Sequence, residues 1–266
     1  MTTVLCVPQW QGSASDRAPY LREGALRTAE LVEADATVTV PVPDRTGTRA
    51  EGVRALDVLV ETLRLTEKAL AGIDDVVLTV GGDCAVDLAP IAAARARYGD
   101  DLTLLWIDAN PDVFAPEDLP SGAFHGMVVR ALLGDGPAPL NPAEPLTPAQ
   151  VVIAGERANE PVEHAYLKAK GVRTYGVDDF EQALDGLTGP VYLHVDLDVL
   201  DPADFRSVCY SYPDGVTAER LIDLVSRVDG VVGAAITEHA PTEDATPAEA
   251  EVIRRLAAAI RLPSRT

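Results

Sequence analysis

Short runs rich in β-branched residues recur along the whole chain, separated by longer stretches with apolar residues three and four apart, and this alternation restricts the fold more than any other feature. The runs at 3–7, 36–40, 75–80, 103–107, 151–154, 172–175, 191–195 and 231–236 read as strands. The stretches at 18–32, 52–71, 85–98, 217–228 and 247–260 read as amphipathic helices. Parallel strands need long crossovers, and helices supply them on both faces of a sheet. The predicted fold is therefore α/β, a three-layer α/β/α arrangement around a mostly parallel sheet of about eight strands. A chain of 266 residues can bury one large core, so a single domain over 1–266 is expected. The Pro- and Gly-rich segment 134–148 reads as a surface connection and is the only candidate for an internal boundary.

With 22 basic against 42 acidic side chains the formal charge is −20. A field of that sign repels phosphate backbones and anionic lipid, so neither nucleic acid nor a membrane is an expected partner. Three cysteines (Cys6, Cys84, Cys209) are too few and too odd a set for a disulfide framework and suit a reducing compartment. The first residues show neither a basic start nor a long apolar run, so a cytoplasmic location is expected.

Open parallel sheets bind ligands beyond the carboxyl ends of their strands. Polar residues gather there after four of the runs: Gly81-Gly82-Asp83-Cys84, Asp108-Ala109-Asn110-Pro111-Asp112, Asp196-Leu197-Asp198 with Asp201-Pro202 beyond, and Glu238. The paired glycines suggest a sharp turn that carries Cys84 to the sheet edge. If extended geometry continues past the strands, Asp108, Asn110 and Asp112 face one way, as do Asp196 and Asp198. Carboxylates that close cannot all stay ionised unless cations neutralise them, so one or two divalent metals are expected. Oxygen-rich ligation suits Mn²⁺, Mg²⁺ or Ca²⁺, whereas a thiolate at Cys84 pulls toward softer ions; Mn²⁺ is the first choice. The competing reading is that Asp-x-Asp pairs merely cap helices or form turns. Two such pairs, each after an apolar strand, favour the metal.

These motifs resemble the ureohydrolase superfamily of arginases, agmatinases and formimidoylglutamases. Its Gly-Gly-Asp-His, Asp-Ala-His-x-Asp, Ser-Gly-x-x-His-Gly and Asp-x-Asp-x-x-Asp-Pro motifs recur in order at 81–84, 108–112, 121–126 and 196–202. The resemblance implies an arginase-like fold with two Mn²⁺ bridged by hydroxide and held by Asp108, Asp112, Asp196 and Asp198, of which Asp108 and Asp196 would bridge. It also implies that Asp112 orients the hydroxide, that Glu238 pairs with a guanidinium, and that His125 shuttles the proton. Ser121 and Glu160 match positions that bind an α-carboxylate and an α-amine, which implies a small guanidino amino-acid substrate. Phe114 and Leu119 replace polar residues that many arginases use around that carboxylate. The family is frequently trimeric or hexameric, so a homo-oligomer is compatible with the resemblance.

Cys84 and Asn110 stand where ordinary members have metal-binding histidines. An amide oxygen is a weaker ligand, and a thiolate is one that Mn²⁺ favours little. This pairing resembles the subgroup that hydrolyses Nω-hydroxy-L-arginine to hydroxyurea and L-ornithine in D-cycloserine biosynthesis. The implied activity is metal-dependent cleavage of a guanidino C–N bond, with hydroxyarginine ahead of arginine. Arginase, agmatinase or another guanidino or formimino hydrolase is the alternative, and a non-catalytic binding protein on the same fold is the rival of a different class. Of the remaining histidines, His194 either faces the same cavity or is satisfied in the core. His164 falls on an exposed helix face, and His239 points away from Glu238 if that segment is extended. Trp106 is expected beneath the metal loop and Trp10 in packing. Cys6 and Cys209 receive no role.

Overall fold

The computed structural model describes residues 2–262. All eight runs form strands: β1 (Thr2–Val7), β2 (Ala36–Thr39), β3 (Val76–Gly81), β4 (Thr103–Ile107), β5 (Val151–Glu156), β6 (Arg173–Gly176), β7 (Val191–Asp196) and β8 (Val231–Thr237). They make one sheet in the order β2-β1-β3-β8-β7-β4-β5-β6, and every pairing is parallel. The helices are α1 (Pro19–Leu31), α2 (Leu56–Leu70), α3 (Leu88–Tyr98), α4 (Val128–Leu132), α5 (Pro161–Lys170), α6 (Ala218–Ser226) and α7 (Pro247–Ala259).

Strand alternation divides the core into two layers. Leu105 and Ile107 of β4 and Leu193 and Val195 of β7 pack with Leu221, Leu224, Ile253 and Leu256 of α6 and α7. Leu104, Trp106 and Tyr192, one residue out of phase, pack on the other face with Leu59, Leu88 and Ile91 of α2 and α3. Segment 134–148 lies against this second layer. Leu140 and Leu146 are buried in it, and the Leu146 amide donates to the Leu132 carbonyl at 2.8 Å.

The chain leaves β3 and skips two sheet positions before laying down β4; β7 and β8 fill the gap later. Reversals of strand order of this kind open a crevice at the carboxyl ends. The four strands that precede the polar motifs, β3, β8, β7 and β4, are therefore direct neighbours at the centre of the sheet.

Candidate metal centre

Gly81 and Gly82 do not have positive φ, so the sharp turn expected from them is not their purpose. A β-carbon on Gly82 would lie 1.7 Å from the Gln9 carbonyl oxygen, and one on Gly81 would lie 2.3 Å from Val86 Cγ2. Close approach of backbones demands the glycines. Asp83, fully buried, then accepts from Gln9 Nε2 (2.9 Å) and the Gly12 amide (2.8 Å), pinning the loop after β1 to the exit of β3. Burial, with Glu238 nearby, pushes Asp83 up to about 7. Cys84 opens a 3₁₀ turn (Cys84–Asp87), and its thiol donates to Asp196 Oδ2 at 3.1 Å.

The extended geometry expected past β4 and β7 does not persist. β4 ends at Ile107, and Asp112 reaches the site through a left-handed backbone with φ 55°. Asp198 sits in a 3₁₀ turn (Leu197–Val199) whose first amides fold back, so that the Asp198 amide donates to Asp196 Oδ1 at 2.7 Å. Glu238 is likewise left-handed, φ 64°. For residues other than glycine that conformation costs about 1–3 kcal/mol each, and such strain concentrates at functional sites. Here it aims two carboxylates that regular strand geometry would not.

Ligand-capable oxygens of Asp108, Asp196 and Asp198 all lie within 4.8 Å of one another, and the three residues are buried. Asp108 accepts from the Asn110 amide (2.7 Å) and from Trp106 Nε1 (3.0 Å). Its carboxyl faces that of Asp198, whose Oδ1 accepts from the Ala109 amide at 3.3 Å. Burial and neighbouring carboxylates hold Asp108, Asp112 and Asp196 well above the usual range, and Asp198 at about 6. Burial, then the surrounding carboxylates, also holds the Cys84 thiol well above its ordinary value. A divalent cation reverses each of these shifts. Asp112 Oδ2 is buried with no hydrogen-bond partner among the described residues, an arrangement that is costly unless a ligand answers it. On donor chemistry and on this orphaned oxygen, the residues fit a divalent metal.

A cavity of about 170 Å³ is lined by Asp108, Asn110, Asp112, Asp196 and Asp198 on one side and by Ser121, His125, Phe114 and Leu119 on the other. Asn110 Nδ2 donates to the Ala158 carbonyl at 2.7 Å, which leaves the amide oxygen as its available ligand atom. His125 Nδ1 lies 3.1 Å from Glu238 Oε1. Burial opposes the imidazolium, but Glu238, with Asp83 and Asp198 behind it, outweighs burial and raises the His125 pKa. Glu238 is buried behind His125 and does not line the cavity. Ser121 is at the exposed rim.

Glu160 is not in this cavity. It caps α5 and lines a larger, open outer chamber that shares Asn110, Phe114 and Tyr212 with the inner one. Tyr210 and Tyr212, which sequence reasoning passed over, complete the inner wall, and Tyr210 stacks beside His125 with ring centroids 5.5 Å apart. His164 is exposed on α5. His239 faces away, its Nδ1 2.8 Å from Thr28 Oγ1. Trp106 is buried beneath Asp108, and Trp10 packs against Ala18, Leu21 and Ala240.

The model of the Arginase family matches residues 13–261. The chain belongs to that family. Arginase-family proteins are binuclear metal hydrolases; this chain is a hydrolase of that family, acting on guanidino or amidino bonds, and it carries candidate metal-binding clusters. It is 28% identical over 263 residues to the Nω-hydroxy-L-arginine amidinohydrolase of Streptomyces lavendulae, covering 94% of each chain. Its fold is similar to that of Entamoeba histolytica arginase solved with L-ornithine (TM-score 0.85, 19% identity, 97% of each chain). It is also similar to Bacillus caldovelox arginase (TM-score 0.82, 24% identity, 97% of each chain). Among the described residues no helix is long and apolar enough to cross a membrane.

Proposed function

We propose that this arginase-family hydrolase is a single catalytic domain that cleaves the guanidino C–N bond of Nω-hydroxy-L-arginine, giving hydroxyurea and L-ornithine, with Mn²⁺ as its metal. One observation carries the reading: four buried aspartates line one small cavity with Asn110 and His125, and Glu238 is hydrogen-bonded to His125 from behind. Asp108, Asp112, Asp196 and Asp198, with Cys84 and Asn110, would hold the metals. When bound, they supply a nucleophile at neutral pH and stabilise the charge that develops on the attacked carbon's substituents.

The side chains supply the rest. The orphaned Oδ2 of Asp112 accepts a hydrogen bond from the attacking water and orients its lone pair. Glu238, behind the cavity wall, engages His125 through Oε1 and holds the ring in place. As the C–N bond to the ornithine side chain breaks, His125 gives its proton to the departing nitrogen, a role suited to an imidazole whose pKa is raised because Glu238 outweighs burial. Ser121 at the rim binds the α-carboxylate, and Glu160 in the outer chamber receives the α-amine. A hydroxyguanidine is less basic than a guanidine and so presents a neutral, more electrophilic carbon, which suits a centre with weakened ligands at 84 and 110.

The test is kcat/KM for Nω-hydroxy-L-arginine against L-arginine on the metal-loaded protein. The expected ratio is about tenfold or more, equivalent to about 1.4 kcal/mol of transition-state preference. Equal values would remove the hydroxyarginine preference and leave L-arginine, the second reading, which likeness to arginases supports.

A further inference from the structure

His194 is wholly buried on β7, on the same side of the sheet as Asp196 two residues later. It lies opposite Trp106 of β4, and the two rings stack with centroids 3.4 Å apart and planes within 2°. Its Nδ1 is 2.8 Å from Asp87 Oδ2, while Asp87 Oδ1 accepts from the Tyr192 hydroxyl at 2.5 Å. In the tautomer with its hydrogen on Nδ1, the ring donates to Asp87 and Nε2 keeps its lone pair. Nε2 faces the Thr237 hydroxyl at 3.3 Å, longer than an imidazole acceptor of ordinary strength prefers. The same hydroxyl is 3.4 Å from Cys84 Sγ. One ligand atom each from Cys84, Asp108 and His194 lies within 4.8 Å of the others, with all three residues buried.

We propose that His194 Nε2 is the nitrogen ligand of an inner metal position that it forms with Cys84 Sγ and Asp108. This rests on the metal-centre reading above and deepens it. A carboxylate hydrogen-bonded to the far nitrogen fixes the ring, selects the tautomer and strengthens the donor, and Asp87 does this for His194. The floor of the site then has a function for a buried Asp–His pair that packing alone does not require. Of the three clusters of candidate ligands, the third joining Cys84 with Asp196 and Glu238, the two that share Asp108 differ in chemistry. Asp108, Asp196 and Asp198 offer only oxygen and suit a hard ion, whereas sulfur, nitrogen and oxygen together suit an ion of borderline softness such as Zn²⁺, Co²⁺ or Fe²⁺. With Asp108 common to both, the inner position would be the softer of the two.

Co²⁺ added to the metal-stripped protein tests this, because thiolate coordination gives a charge-transfer band in the near ultraviolet. The wild type is expected to show the band, Cys84→Ala to lose it, and His194→Gln to bind Co²⁺ roughly tenfold or more weakly. Isotope-labelled histidine in the wild-type protein gives a readout that needs no variant to fold. With Cd²⁺ bound, the metal should couple to the Nε2 of one of the four histidines, and the coupled signal should be absent from His194→Gln. A thiolate band with no cadmium–nitrogen coupling and unchanged affinity in His194→Gln would overturn the inference and leave the oxygen-ligated centre standing. Failure of the folded wild type to bind Mn²⁺, Co²⁺ or Cd²⁺ would overturn both.

Discussion

Asp83, Asp108 and Asp196 each accept an amide two residues ahead, so the turn-forming use of Asp and the ligand use are both present in the same side chains. Folding uses one oxygen to shape the loop and leaves charge crowded in the cavity. Removing one charge should then relieve the metal-free protein. In Asp108→Asn the metal-free form is expected to melt about 2–4 °C higher for each 1 kcal/mol of relieved repulsion, while the upward shift on adding Mn²⁺ disappears. Calorimetry with and without metal checks both halves. His125→Asn should keep the metal response and lower kcat about a hundredfold or more, since it removes the proton donor and not a ligand. His239 gives a separate test of stability. Burial lowers its pKa from 6.5 to about 4, so the fold holds it neutral; its contribution is complete above about pH 6.5 and is lost as pH falls toward 4. The loss amounts to about 3 kcal/mol. Thermal melts of wild type and His239→Gln between those pH values should therefore converge toward acid, and parallel curves would contradict it. Most site residues were legible because their motifs follow strand ends. His194 was ambiguous because a run buried on both faces gives no sign of where a polar member points, and Tyr210 and Tyr212 lie in a loop with no periodicity to read.

At the scale of elements, burial on both faces leaves near-continuous apolar segments in central strands such as β4 and β7, while the exposed edge strands β2 and β6 were located by their β-branched residues and flanking helices. Boundaries moved where a turn replaced the end of a helix. The stretch at 85–98 begins with the 3₁₀ turn that carries Cys84, and regular α-helix starts only at Leu88. The short α4, five residues with two adjacent valines, has too little period to be seen in sequence. The packing at Gly82 is the least tolerant joint near the site. In Gly82→Ala the new methyl meets the Gln9 carbonyl, so a loss of roughly 2–4 kcal/mol is expected by denaturant unfolding, with the loop after β1 displaced. Gly171, at the left-handed end of α5 with open space around it, should lose only about 1 kcal/mol as Gly171→Ala.

For the molecule as a whole, one topological fact organises the rest: late insertion of β7 and β8 between β3 and β4 brings four distant sequence segments to one crevice. The sequence pattern predicts the number and direction of strands but not their order, since order depends on which crossovers the helices permit. The most direct test of the account is ornithine release from Nω-hydroxy-L-arginine by chelator-stripped protein before and after divalent metal is restored. Turnover should vanish on stripping, with the fold retained, and return with Mn²⁺ or a softer divalent ion. Turnover that survives complete removal of metal, or none with any ion restored to folded protein, would contradict it.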